Sequence, residues 1–194
     1  MNPQFQMIYT SEIKRDGALD LLMWLDDNKF FEMPASTRFH NAHEGGLAEH
    51  SMNVYHRLNR LYELQYGAEK RWDMRETLAI VGLLHDVVKA GLYAVEYRNR
   101  KNDQGQWEKY PVFVYNDPWC FGHGEGSVIL ISRFMKLTDE EMLAIRWHMG
   151  FSDATFKGGS NTVGDAFNKC PLAVLLNCAD LQATYLDEVG HGAL

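Results

Sequence analysis

The chain has 194 residues, enough for one domain with a sizeable core and too few for two ordinary ones. An apolar share of 46% against 23% charged residues is that of a globular protein, and its apolar runs are far shorter than a membrane span. A net charge of -7 at pH 7 sets the overall field against polyanions, so long nucleic acid is not expected as a partner without a local basic patch. Residues 1–10 hold neither a basic leader nor an apolar signal stretch, so a cytoplasmic location is expected. Cys120, Cys170 and Cys178 form no CxxC pair, which argues against disulfides or a structural zinc site and for small buried side chains.

In chain order, Leu21, Leu22, Trp24, Leu25, Phe30 and Phe31 predict a helix within residues 17–31, closed before Pro34. Gly45-Gly46 opens a long amphipathic helix with Leu47, Val54, Leu58 and Leu61 on one face. His50 fills the gap in that series and therefore points inward. A second helix is predicted over residues 73–89, with Leu78, Val81, Leu84 and Val88 inward, His85 on the same face beside Asp86, and Gly91 near the C-cap. Residues 93–115 alternate around an Asn102-Asp103-Gln104-Gly105 turn and predict a two-stranded hairpin inserted between helices. After Pro118 the helical pattern returns, with His123 first and Val128, Ile131 and Phe134 following. Thr138 and Glu141 form a capping box for a helix carrying Met142, Ile145 and His148. The Gly/Ser/Asn-rich residues 150–164 are expected as a mobile loop, and Pro171 starts a last helix bearing Leu172, Leu175, Leu176, Ala179 and Asp180. The fold class expected is all-α, one domain over residues 1–194 with its core at about 34–186.

Four histidines and two aspartates thus fall on inward faces or buried ends of successive helices. A buried aspartate costs several kcal/mol unless it is paired or bound to a metal. Metal is the economical reading of His50, His85, Asp86, His123, His148 and Asp180 together. Adjacent His85 and Asp86 offer one neutral nitrogen and one carboxylate, a pair that can bind and bridge ions. Imidazole and carboxylate without thiolate suit Mn, Fe, Co, Ni or Zn, with Mn or Fe favoured here.

The order His, His-Asp, His, His, Asp on successive helices resembles the HD superfamily of metal-dependent phosphohydrolases, over about residues 34–184. The string His40-Asn41-Ala42-His43-Glu44-Gly45-Gly46-Leu47-Ala48-Glu49-His50-Ser51 is similar to the HD part of YhaM-type 3′-to-5′ exoribonucleases, whose separate OB-fold has no room here. The resemblance implies an HD-type helical bundle and two ions. One would be bound by His50, His85, Asp86 and Asp180, the other by Asp86, His123 and His148, with Asp86 bridging. It implies phosphoester hydrolysis by a hydroxide activated between two metals, on a nucleotide or short oligonucleotide. Asp86 is then catalytic, and Lys89, one turn further on, is expected to reach a phosphate oxygen.

Among the remaining polar residues, Glu49 and Glu125 are candidate acceptors for ligand imidazoles, although exposed glutamate is an equal reading. His40 and His43 are expected in a surface loop, and His191 in the tail is expected to be incidental. Trp107 is the candidate base-stacking residue of the hairpin, whose Arg98, Arg100, Lys101 and Lys109 are diluted by Glu96, Asp103 and Glu108. Cross-strand aromatic packing is the competing reading. Two other functions remain open: a mixed-valent di-iron oxygenase on the same ligands, and a non-catalytic HD binding module.

Overall fold

The computed structural model describes residues 1–37, 41–116 and 120–188; His40, Pro118 and His191 lie outside them. Helix α1 (Pro3–Glu12), not foreseen from the sequence, begins where Asn2 accepts the N–H groups of Gln4 and Phe5, with Pro3 in the first turn. Helix α2 (Ala18–Asp27) and a 3-10 turn at Phe30–Glu32 follow and close the N-terminal part around Phe5, Tyr9, Leu21, Leu25 and Phe30.

Helix α3 (Gly46–Tyr66) is the long amphipathic helix expected, and its buried face includes Leu47, His50, Val54 and Leu58. A short α4 (Ala68–Asp73) follows, and the helix predicted over residues 73–89 is instead α5 (Arg75–Leu84) and a 3-10 turn at Val87–Lys89. Asp86, at φ -117° and ψ 21°, has left the helical region, so His85 and Asp86 sit at the exit of α5 rather than along it. Gly82 sets how closely α5 packs on α3. A Cβ there would lie 2.8 Å from the Tyr55 Cα of α3, so only glycine lets the two helices approach this closely.

Strands β1 (Tyr93–Lys101) and β2 (Trp107–Tyr115) form the expected antiparallel hairpin, pairing Tyr93 with Tyr115 at its root and Lys101 with Trp107 at its tip. The fold is therefore mostly helical with an inserted hairpin. Helix α6 (His123–Ser132) starts at His123, and α7 (Asp139–Arg146) starts at the Thr138–Glu141 capping box, both halves of which are formed. Gly124 lies against the Arg146 carbonyl at the end of α7, where any side chain would collide.

Residues 150–164 are not the loop expected. They fold into a 3-10 turn at Gly150–Ser152, α8 (Ala154–Lys157, started by an Asp153 side chain that accepts the Thr155 N–H) and the beginning of α9 (Thr162–Lys169). Helix α10 (Pro171–Gln182) runs on into a π turn at Ala183–Asp187. Helices α3, α5, α7 and α10 pack against one another around a common core. Cys170 is buried and Cys178 half-buried, whereas Cys120 is exposed against expectation. No helix of the described residues is long and apolar enough to cross a membrane.

Candidate metal centre

Helix ends leave carbonyl groups without intrahelical partners, and two of the histidines use them. His85, at the C-cap of α5, donates its Nδ1–H to the Gly82 carbonyl at 3.0 Å. His148 donates its Nδ1–H to the Ile145 carbonyl at 2.7 Å. It sits two residues beyond α7 and not on it, as the sequence pattern had placed it. In both rings this bond settles the tautomer and leaves the Nε2 lone pair facing inward. His50 Nδ1 instead meets the Glu188 carboxylate at 3.0 Å, which also accepts the Asn53 side-chain N–H at 3.0 Å.

The inward nitrogens converge. His50 Nε2 lies 3.3 Å from His85 Nε2 and 3.2 Å from Asp180 Oδ1, in the last turn of α10. Two ligands on one ion with bonds near 2.1 Å sit roughly 3–3.5 Å apart, so this spacing fits a shared cation. His85, Asp86 and His148 form a second donor group that shares His85 with the first. Asp86 Oδ1 faces His148 Nε2 at 3.5 Å and His123 Nδ1 at 3.8 Å, while Oδ2 takes the Lys89 ammonium at 2.7 Å. Asp86 Oδ1 and His148 Nε2 are buried, and neither forms a hydrogen bond with any described residue. Such atoms cost about 1–3 kcal/mol each when unsatisfied, a debt that a bound cation would cancel. The donor set therefore fits a metal, with His123 at its edge and outside both close groups.

The electrostatics put three of these groups in the ligand state and raise two others. Burial pulls the His50 pKa down, but hydrogen bonds and charge from Asp180 and Glu188 outweigh it and push it up to about 9. Burial lowers His85 to about 4, so that ring is neutral at pH 7. Burial opposes ionisation of Asp86, yet the Lys89 charge and the surrounding imidazoles hold it well below the usual carboxylate range. Asp180 is likewise held low by His50 against its own burial. A neutral His85 and two ionised carboxylates are the protonation states that metal ligands need, while His50, protonated at pH 7, releases a proton on binding an ion; burial lowers His148, but Asp86 outweighs it and leaves it raised.

Lys89 is neither a solvated helix-end lysine nor an extended arm. It is buried, and its ammonium bridges Asp86 Oδ2 and the Ala35 carbonyl at 2.8 Å. Burial lowers its pKa, but Asp86 reverses this and leaves it raised. Asp86, Lys89, His50, His123 and Asp180 line a cavity of about 640 Å3, together with Tyr93, Met149, Asn177, Leu181 and Tyr185.

Trp107 is not among the lining residues. It stands at the hairpin tip, eight pairs from Tyr93, which places it roughly 27 Å along the strand. Glu49 is half exposed and pairs with His43 at 3.5 Å, and Glu125 pairs with Arg146. The carboxylate that does reach one, Glu188, went unread in the sequence. The chain reaches it through the π turn after α10, an element too rare to be expected from sequence. Comparison with family models, with curated proteins and with solved structures finds no match.

Proposed function

We propose that the chain is an HD-type metal-dependent phosphohydrolase acting on the phosphoester of a nucleotide or short oligonucleotide. What carries this reading is the convergence of two tautomer-locked histidines, and of His50 held by Glu188, with Asp86 and Asp180 beside one cavity. Two ions, Mn or Fe by preference, would be held by His50, His85, Asp86 and Asp180 and by Asp86, His123 and His148, since His85, with its Nδ1–H on the Gly82 carbonyl, has one lone pair to offer. Ions there would polarise a phosphoryl oxygen and acidify a water. Lys89 holds Asp86 in its ionised, inward-facing state, and its third N–H can meet a phosphate oxygen. A cavity of about 640 Å3 is within the range that binds small ligands, and Tyr93 and Tyr185 offer it aromatic surface for a base.

The test is hydrolysis of cyclic nucleotides, mononucleotides, dinucleotides and short strands by protein of measured metal content. Absence of metal from purified protein, and of turnover after Mn or Fe is supplied, would overturn the proposal. His123→Ala and His148→Ala are expected to lower the stoichiometry from about two ions towards one; two ions retained in both variants would remove the second site. Glu188→Ala is expected to weaken metal binding by about 10- to 100-fold, the scale of outer-shell partners, since His50 loses the acceptor that orients it. Unchanged affinity on titration would make Glu188 a purely structural residue.

A further inference from the structure

We propose that one face of the hairpin is a binding surface for single-stranded nucleic acid, leading outward from the cavity. The register carries the argument. Residues paired across an antiparallel ladder share a face, and neighbours along a strand alternate. Tyr93, Val95, Tyr97 and Lys101 of β1 therefore share one face with Lys109 and Trp107 of β2. Glu96 and Glu108, which dilute the basic residues when the sequence is read linearly, both fall on the other face, where Glu108 closes on Arg100 at 2.6 Å. The aromatic face keeps two exposed lysines and no strand carboxylate, within a chain of net charge -7.

Tyr93, at the root, packs against the core, and the face opens towards the hairpin tip. Val95 is 51% exposed, Tyr97 70% and Trp107 71%, and the Lys101 ammonium stands 5.5 Å from the centre of the Trp107 ring. Exposed rings beside cations, spaced along a groove or ribbon, are what a single strand needs: rings to stack its bases and ammonium groups to hold its phosphates. Same-face residues recur about every 6.8 Å along the strand, so successive nucleotides of an extended chain can meet successive side chains. The root of the face is Tyr93, which also lines the cavity, so a strand lying along it has one end directed towards Asp86 and Lys89.

This surface goes beyond the hydrolase reading and is tested without turnover. Fluorescein-labelled oligo(U) and oligo(dT) of about ten nucleotides, within the span of known single-strand-binding folds, are titrated in EDTA with the full chain, its folding checked by circular dichroism. Binding is expected at low salt. Trp107→Ala and Tyr97→Ala should each weaken it about tenfold, the scale of one lost base stack. Lys101→Gln and Lys109→Gln should each flatten the log–log salt dependence by about 0.7. Glu96→Gln, on the opposite face, should change little. Equal binding by wild type and all four aromatic-face variants would overturn the proposal. So would tighter binding of a duplex than of either strand, or variants that alter only self-association. Strand binding without phosphoester hydrolysis would refute the hydrolase reading alone, and hydrolysis of mononucleotides without strand binding would refute this one alone.

Discussion

Asp86→Asn is expected to abolish hydrolysis and to strip most bound metal from folded protein. The side chain is 3% exposed, and its carboxylate faces His85, His123, His148 and Lys89 together. Asparagine keeps its shape but not its charge, and with the charge goes the attraction that any cation at the second donor group relies on. Activity should fall by more than roughly a hundredfold, since loss of even an outer-shell partner costs about 10- to 100-fold. Asp86→Ala should in addition destabilise the fold, because it leaves the Lys89 ammonium buried with only the Ala35 carbonyl, and removing one partner of a buried ion pair costs about 3–5 kcal/mol. Metal analysis, turnover and thermal melting of the two variants separate these effects. Normal metal content in Asp86→Asn would show that the residue serves Lys89 and not a metal.

Glu141→Ala is expected to be the most destabilising change remote from the cavity. Its carboxylate is fully buried and completely satisfied, by Arg15 at 2.6 and 2.9 Å, by the Thr77 hydroxyl at 2.9 Å and by the Thr138 N–H at 2.8 Å. It is both the capping box of α7 and the tie between that helix, α5 and the turn after α1. Loss of a buried pair of this kind costs about 3–5 kcal/mol. For a chain of this length that lowers the melting midpoint by on the order of 10 °C. A cost under about 1 kcal/mol, the worth of an exposed pair, would contradict this account. The pH dependence follows from the same contacts. Burial raises the Glu141 pKa, but Arg15 and the hydrogen bonds outweigh it and leave it lowered. Its contribution is therefore fully present above the unfolded value of about 4.3 and is lost as pH falls through the folded one. The stability gap between wild type and Glu141→Ala should accordingly begin to narrow below about pH 4 and go on narrowing as the pH falls through the lowered folded value.

What could be read from the sequence was whatever depends on neighbours within a few residues. The inward direction of His50 follows from Leu47 and Val54, the start of α3 from Gly45-Gly46, the start of α7 from Thr138 and Glu141, and the hairpin bounds from alternation around Asn102 to Gly105. These are periodicity, capping and turn signals, and all act locally. The tertiary structure decided everything that rests on groups far apart in the chain. It ended α5 at Leu84, since Asp86 must turn out of the helix to face His123 and His148 from other elements. It buried Lys89 under the Ala35 carbonyl, 54 positions away, and set Glu188 on His50, 138 positions away. It also separated Glu96 and Glu108 from Lys101 and Lys109, because which face a strand residue occupies relative to its partner is a property of the pairing and not of either strand. The ligand types were legible because buried His and Asp are rare without a purpose. The orientation and protonation of His50 were not, because Glu188 and Asp180 reach it only through the fold, whereas His85 and His148 are oriented by carbonyls three residues away.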